Sequence, residues 1–170
     1  MSRKLVLISG PSGTGKTTIV QHLIRDYDAL TFSISATTRE PRANEKPGKD
    51  YHFLEPDTFR HYIQRGDFLE YEEVYEGLYY GTLRSELERI WSEERVPVLD
   101  IDVKGALNIR QSYEGHPLMI YIHPYSKENL RERLEQRGTD SRAKIERRLA
   151  KAGEEMALAE GFDHVIYNKN

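Results

Sequence analysis

The feature that most constrains this chain is residues 10–17, which read G-P-S-G-T-G-K-T and match the G-x-x-x-x-G-K-[ST] pattern of phosphate-binding loops. The apolar run at residues 5–8 precedes the loop and is typical of a buried parallel strand. Apolar residues recur after the loop at helical spacing, from Ile19 to Tyr27. A strand, a glycine-rich turn and a helix N-terminus form an anion site, because backbone N–H groups and the helix dipole point at the anion. The sequence therefore predicts that the chain binds nucleotide phosphates.

The loop pattern also assigns roles to individual residues. Its glycines let the backbone approach the phosphates closely and take φ values that a Cβ would penalise. Lys16 is expected to reach the β- and γ-phosphates, and the Thr17 hydroxyl is expected to hold Mg²⁺. The alternative is a glycine-rich turn with a surface lysine. The expected ATP contacts are Gly10, Ser12, Gly13, Thr14, Gly15, Lys16, Thr17 and Thr18.

Composition excludes several classes of protein. The chain has 170 residues, which suits one domain or one core with inserted lobes, and it has no cysteine for a disulfide or a thiolate metal site. None of its apolar stretches approaches a membrane span, and residues 1–4 run directly into the first strand, which predicts no signal peptide. The net charge of −3 does not favour general nucleic-acid binding. We therefore expect a cytoplasmic protein without a nucleic-acid or membrane partner; the sequence does not indicate its oligomeric state.

Strands and helices alternate along the chain, which predicts an α/β fold with a parallel sheet covered by helices on both faces. Residues 31–80 interrupt this alternation with aromatic and acidic strands, and we interpret them as a mixed β lobe inserted beside the nucleotide site. Within that lobe, the polar, proline-bearing residues 36–49 predict a loop. The predicted strands are residues 5–8, 30–34, 68–75, 79–80, 96–101, 118–122 and 165–167. The predicted helices include residues 56–65, 83–94, 126–137 and a long helix that ends near residue 160.

The acceptor of the phosphoryl group is indicated by ordered motifs that follow the loop. Residues 35–42 read S-A-T-T-R-E-P-R and place two arginines on an irregular segment, where the planar guanidinium suits a phosphate. The motifs G-K-D-Y-H-F, F-L-E, Y-Y-G-T and L-D-I-D follow in that order. Together with the phosphate-binding loop, these motifs resemble the guanylate kinase family, and the resemblance covers residues 4–168.

The resemblance implies that ATP phosphorylates GMP in the presence of Mg²⁺. It also implies how the base is chosen, since guanine offers a ring N–H and an exocyclic amine that a carboxylate accepts in a bidentate manner. Adenine places an acceptor where guanine has its ring N–H, so such a carboxylate would reject it. The implied contacts are Ser35, Arg39, Arg42, Tyr51 and Tyr80 for the GMP phosphate, and Glu70, Thr82 and Asp102 for the guanine.

Each of these assignments has a structural alternative. The arginines could be solvated loop charges, and the tyrosines could be half-buried sheet aromatics. Glu70 could lie on a solvated strand face, which is where we expect Glu72 and Glu73. Asp100 ends a strand in the manner of a Walker-B acid and is expected to support Mg²⁺ together with Thr17. Asp100 or Asp102 could instead cap the helix that follows.

A basic stretch near the end of the chain resembles the lid of the same family, because residues 133–139 read R-L-E-Q-R-G-T. Fixed cations in a water-poor site stabilise the charge that spreads over a transferring phosphoryl group. The alternative is a solvated helix surface. The implied domains are a core of residues 1–34, 83–125 and 150–170, a GMP lobe of residues 35–82 and a helical lid of residues 126–149. The expected catalytic residues are Lys16, Arg39, Arg133, Arg137 and Arg148.

Two rival functions follow from the same residues. One is a kinase-like binding module of a scaffold protein, against which the intact Gly15, Lys16 and Thr17 argue. The other is a P-loop kinase for a different phosphorylated acceptor, against which the combination of Glu70 and Thr82 argues. At the end of the chain, Tyr167 and Lys169 depart from the family's usual small apolar residue and aspartate, so no adenine contact is assigned to Asn168.

Overall fold

A computed structural model describes residues 3–136 and 141–169 of the chain. Predicted features that involve residues 137–140, Arg137 among them, lie outside this range. No helix in the described range is long and apolar enough to cross a membrane. In chain order the elements are β1 (Val6–Ser9), α1 (Lys16–Asp26), β2 (Leu30–Phe32), β3 (Ala36–Thr37), β4 (His52–Phe53), α2 (Pro56–Arg65), β5 (Phe68–Tyr75), β6 (Leu78–Leu83), α3 (Arg84–Ser92), β7 (Val96–Asp100), α4 (Val103–Ser112), β8 (Leu118–Pro124), α5 (Lys127–Gln136), α6 (Arg142–Met156) and β9 (His164–Asn168).

The core is a five-stranded parallel sheet with the order β2-β7-β1-β8-β9. Its central strands are apolar at successive positions because both faces are buried. Leu7, Leu99 and Tyr121 pack into a cluster with α3 and α4 on one face, whereas Ile8 and Val98 pack toward α1 on the other. The predicted α/β fold with helices on both faces is thus confirmed. Its geometry brings the carboxyl ends of the strands to one edge, where ligands bind in folds of this type.

A second, mixed sheet has the order β4-β3-β6-β5, and its two faces differ in character. Helix α2 covers one face, where the Phe59 ring stacks on Phe68 at 4.3 Å and on Tyr79 at 5.2 Å between centroids. Successive side chains on a strand point to opposite faces. The register pairs Glu70 with Thr82 and therefore places both on the face opposite α2.

Several element boundaries differ from the sequence prediction, three of them with a clear physical consequence. The strand predicted at residues 30–34 ends at Phe32, and the predicted loop contains the short strand β3. Strand β3 exists because β6 and β4, which are distant in sequence, supply its hydrogen-bonding partners. The long helix ends at Met156, and a 3-10 turn at Ala159–Gly161 then directs the buried Phe162 into the core.

A buried carboxylate ties the segment between the two sheets to the core. The Glu86 side chain is only 5% exposed, and it accepts hydrogen bonds from Arg89 at 2.8 Å and from the Ile34 N–H at 3.2 Å. Burial alone would raise the pKa of Glu86, but the hydrogen bonds from Arg89 and Ile34 outweigh it and lower the pKa. The chain between β2 and β3 is therefore fixed where it leaves the parallel sheet.

Candidate functional site

The loop after β1 takes a path that depends on its glycines. Gly10 has a φ of 140°, and a Cβ there would lie 2.3 Å from the carbonyl oxygen of Ile122. Gly15 has a φ of 87° and directly precedes α1, and a Cβ there would lie 2.8 Å from Asn168 Nδ2. Both positions combine a left-handed backbone with close contacts, so a larger residue would be strained and would clash. The loop therefore holds the N-terminus of α1 open to the edge of the sheet.

Lys16 lies on the first turn of α1 and folds back over the loop. Its Nζ donates to the carbonyl oxygens of Gly10 at 2.8 Å and Pro11 at 3.2 Å. The Thr14 hydroxyl also donates to Pro11, at 2.9 Å, and the Thr14 side chain is fully buried. Thr14 consequently supports the loop from inside, whereas the ammonium group of Lys16 stands where the loop would meet phosphates.

Thr17 and Asp100 meet at the carboxyl edge of the parallel sheet. The Thr17 hydroxyl donates to Asp100 Oδ2 at 2.9 Å, because β1 and β7 are neighbours and Ile8 is in register with Asp100. Two oxygen donors beside a phosphate loop fit Mg²⁺, which binds to one or two protein oxygens and takes its other ligands from substrate phosphates and water. Within residues 3–136 and 141–169, no group of three or more His, Cys, Asp or Glu side chains is placed to bind a metal ion by protein ligands alone.

A cavity of about 310 Å³ opens at this edge, between the loop and α6. Arg148 lines it from α6, together with Lys151 and Glu155. Neither Lys151 nor Glu155 was assigned to the site from the sequence. The Glu155 side chain is 13% exposed and lies 3.7 Å from Lys151 Nζ, and burial raises the pKa of Glu155. The loop and strand residues that line the cavity are Gly10, Ser12, Gly13, Gly15, Lys16, Thr17, Thr18, Asp100, Ile101 and Asp102.

Arg133 reaches the same loop through β9. Its Nη2 donates to the backbone oxygen of Asn168 at 3.3 Å, and Asn168 Nδ2 donates to the Thr14 carbonyl at 2.8 Å. Arg133 and Arg148 thus approach the phosphate loop from two different helices. Arg137, the third predicted lid arginine, lies outside the described residues.

The predicted phosphate contacts of the second sheet gather around Arg39. Its Nε donates to the Tyr80 hydroxyl at 3.2 Å, and its guanidinium lies 5.4 Å from the centre of the Tyr51 ring. Arg42 is exposed, and its backbone N–H donates to Glu45 Oε2 at 2.8 Å. The structure therefore places Arg39, Tyr51 and Tyr80 together at one end of the sheet face opposite α2, which we call the open face. Arg42 lies at the rim of that face.

Glu45 is a residue of this cluster that the sequence reasoning missed. Its Oε1 accepts from Arg39 Nη2 at 2.8 Å while its other oxygen holds the Arg42 N–H, so one carboxylate fixes both ends of the arginine segment. The hydrogen bond from Arg39 lowers the pKa of Glu45. The only sequence signal was an acid six positions after Arg39. We expect Glu45 to hold the Arg39 guanidinium in a position from which it can bind an anion.

A second cavity of about 590 Å³ connects this cluster with the phosphate loop. Ser35, Glu45 and Tyr51 line it on one side, and Thr17 and Asp100 line it on the other. Thr17 and Asp100 also line the first cavity, so the two cavities meet at that pair.

The carboxylates predicted to contact a base lie at the other end of the open face. Glu70 Oε1 accepts from the Thr82 hydroxyl at 2.8 Å, and burial raises the pKa of Glu70 to about 7. Asp102 caps α4, since its Oδ1 accepts from the Gly105 N–H at 2.7 Å. The helix-capping alternative is therefore realised by Asp102, which also lines the first cavity, whereas Asp100 faces Thr17.

Glu72 is half-buried and does not lie on a fully solvated strand face as expected. Glu72 is two positions after Glu70 on β5, pairs with Tyr80, and points to the same face as Glu70. Its Oε2 is buried. Glu73, on the opposite face, is exposed as expected.

The raised pKa of Glu70 predicts a pH-dependent stability. A folded-state pKa of about 7 against an ordinary value of 4.5 means that the folded protein binds more protons between these values. The stabilisation that protonated Glu70 gives the folded state is therefore fully present below pH 4.5 and is lost as pH rises through 7. The free energy of unfolding changes by up to about 3 kcal/mol over this range. Urea unfolding at pH 5 and pH 8 should show that the free energy of unfolding falls less between these pH values for Glu70→Gln than for the wild type. Equal declines would contradict the prediction.

Comparison with known proteins adds independent findings. The family model described as Guanylate kinase matches residues 2–170. The chain is 50% identical over 161 residues to the guanylate kinase of Porphyromonas gingivalis, covering 94% of this chain and 86% of that protein. It is 48% identical over 168 residues to the guanylate kinase of Bacteroides thetaiotaomicron, covering 99% of this chain and 82% of that protein.

A solved structure shows the same similarity in three dimensions. The crystal structure of guanylate kinase from Anaplasma phagocytophilum superposes on this chain with a TM-score of 0.74 at 30% sequence identity. The match covers 100% of this chain and 79% of that one. The similarity therefore extends over both sheets.

Proposed function

The chain belongs to the guanylate kinase family, which implies phosphorylation of GMP with ATP, and we propose that it also accepts dGMP and acts in purine nucleotide metabolism. The proposed contacts address the phosphate and the base of the acceptor, which GMP and dGMP share. The substrates and the nucleoside diphosphate product are intracellular metabolites, so the proposed location is the cytoplasm. No nucleic-acid or membrane partner is included in the proposal.

The observation that carries the proposal is the meeting of two cavities at Thr17 and Asp100. One cavity contains the phosphate loop, and the other leads to Ser35 and Tyr51 on the second sheet. A phosphoryl donor in the first and a nucleoside monophosphate in the second would face each other across this pair. Transfer between two bound nucleotides requires such an arrangement, because alignment supplies much of the rate acceleration.

The proposed reaction is a direct in-line transfer. An oxygen of the GMP phosphate attacks the γ-phosphorus of ATP, the bond to the β–γ bridging oxygen breaks, and ADP leaves with that electron pair. The attacking oxygen is already nucleophilic, so the protein aligns the groups and neutralises charge rather than acting as a strong base. In this proposal Lys16 contacts the β- and γ-phosphates, and Arg133, Arg137 and Arg148 stabilise the charge on the group in transfer.

Mg²⁺ is proposed as the metal that accompanies ATP. The Thr17 hydroxyl and the Asp100 carboxylate would hold it, because they are hard oxygen ligands that lie 2.9 Å apart beside the phosphate loop. When bound, the ion would neutralise phosphate charge and orient the phosphates.

The proposed acceptor contacts divide the open face of the second sheet by charge. The end around Arg39 is cationic and is assigned to the phosphate, and the end around Glu70 is anionic and is assigned to the guanine. Residues 35–82 are proposed as the GMP lobe and residues 126–149 as the lid, with the remaining residues as the core. The separate apolar clusters of these segments support the division. The proposed residues are Ser35, Arg39, Arg42, Tyr51 and Tyr80 for the phosphate, and Glu70, Thr82 and Asp102 for the base.

A coupled assay of ADP release tests the proposal. The chain is incubated with ATP, Mg²⁺ and, in separate reactions, GMP, dGMP, AMP or no acceptor. We expect ADP release with GMP and dGMP, little with AMP and none beyond background without an acceptor. Absence of release with every acceptor, together with retained GMP binding, would favour a kinase-like binding module. Release with AMP as fast as with GMP would favour a kinase of different specificity.

A further inference from the structure

A buried carboxylate oxygen in the proposed base site has no evident purpose in the fold. Glu72 lies on β5 on the same face as Glu70, and its Oε2 is buried with no hydrogen-bond partner in the described part of the chain. A buried acceptor left without a donor costs about 1–3 kcal/mol. Folding alone would therefore disfavour a glutamate at this position.

The Asp102 carboxyl lies against Glu72. Two carboxylates repel each other unless one carries a proton, and this contact, with burial as the second cause, raises the pKa of Glu72 to about 7. Lys104 and Lys151 act on Glu72 in the opposite direction. The two carboxyl groups thus place acceptor oxygens side by side on this face, and Oε2 of Glu72 is one that accepts no hydrogen bond from the described residues.

We propose that Glu72 is a specificity-determining residue that accepts a hydrogen bond from the exocyclic 2-amino group of guanine. Guanine presents three N–H bonds on this edge: one on the ring and two on the amino group. A bidentate contact with Glu70 uses the ring N–H and one amino N–H, which leaves one. Asp102 Oδ1 already accepts from the Gly105 N–H, and the free oxygen of Glu72, which lies beside Asp102, supplies a further acceptor for that last N–H.

This inference rests on the proposed function, since it adds a contact to the site assigned to GMP. The competing explanation is a solvent-facing strand acid, and Glu73 shows what such a residue looks like here. Glu73 is exposed on the opposite face, and its Oε1 accepts from the Gly77 N–H in the adjacent turn. Glu72 shares neither property, because its oxygen is buried and faces another carboxylate.

The test compares GMP with IMP, which lacks the 2-amino group and is otherwise the same ligand. Dissociation constants of both nucleotides are measured by titration calorimetry for the wild type, Glu72→Ala, Glu72→Gln and the matched control Glu73→Ala. We expect Glu72→Ala to weaken GMP binding about tenfold relative to IMP, which corresponds to about 1.4 kcal/mol. Glu72→Gln, which keeps one acceptor oxygen, should weaken GMP binding less. Glu73→Ala should leave the ratio of GMP affinity to IMP affinity unchanged.

The outcomes separate this inference from the function on which it rests. If the wild type phosphorylates GMP but Glu72→Ala weakens GMP and IMP equally, Glu72 has a structural role and the inference is overturned. If Glu72→Ala instead binds GMP more tightly relative to IMP, Glu72 only repels Asp102, and the inference is also overturned. A wild type that does not phosphorylate GMP would instead refute the proposed function. Circular dichroism of each variant confirms that the comparison is made on folded protein.

Discussion

Lys16→Ala is expected to lower the turnover number for ATP and GMP by about 10³-fold or more, which is the scale of single cations in phosphoryl transfer. Lys16 projects from the first turn of α1, and its contacts with the described residues include the carbonyl oxygens of Gly10 and Pro11. Its removal would take away a fixed positive charge from the proposed ATP site, where charge would develop in transfer. Steady-state kinetics with saturating ATP, Mg²⁺ and GMP measure the loss.

The same variant should keep its fold and its acceptor binding, because Lys16 is a loop-proximal charge and not a core residue. Titration with GMP should give a dissociation constant close to that of the wild type. Lys4→Ala is the control, since Lys4 is an exposed lysine at the start of the chain. Turnover of Lys16→Ala near that of the control would refute the assignment of the ATP site.

Glu70→Gln is expected to reduce kcat/KM for GMP by a factor that approaches the selectivity of the site, which can reach about 10⁴ where a buried group pairs with a substrate N–H. The Glu70 carboxylate accepts from Thr82 and is half-buried, so in the proposed site guanine must replace the water that it loses. Glutamine keeps the shape but removes the charge and replaces one acceptor with a donor that faces a guanine N–H. The ratio of kcat/KM for GMP to that for AMP, measured in wild type and variant, reports the effect.

Phosphate binding provides the internal control for this variant. The groups around Arg39 lie at the other end of the sheet face and are proposed to hold the phosphate that GMP and AMP share. The value for AMP should therefore change far less than the value for GMP. If the ratio does not move, Glu70 is an ordinary strand acid, and the base must be recognised elsewhere.

Sequence reasoning succeeded where the determinants are local. The phosphate loop, the strand before it and α1 form a continuous segment whose glycines and apolar spacing specify the conformation. Helix α2 and strand β5 have the predicted boundaries for the same reason, since a proline at the helix start, a glycine after the helix end and alternating residues are local signals. The family resemblance was likewise carried by short local motifs and by their order along the chain.

Sequence reasoning failed where a residue's environment comes from distant segments. Glu72 was expected in solvent, but α4 brings Asp102 against it, and no spacing along β5 reveals that contact. Glu155 belongs to a charged helix, and its burial depends on how α6 lies over the phosphate loop. The short strand β3 follows the same rule, because its hydrogen bonds come from β4 and β6.

By itself, the sequence determined the phosphate loop, the α/β alternation and which residue types could hold a phosphate or a guanine. These follow from short-range physics, since glycine conformations, helix periodicity and strand alternation are properties of contiguous residues. Only the tertiary structure decided that Thr17 meets Asp100, that Arg39 is fixed by Glu45, and that Glu70 and Glu72 share a face with Asp102 beside them. Those contacts depend on strand order and on the packing of the two sheets, which are set by burial summed over the whole chain rather than by any one segment.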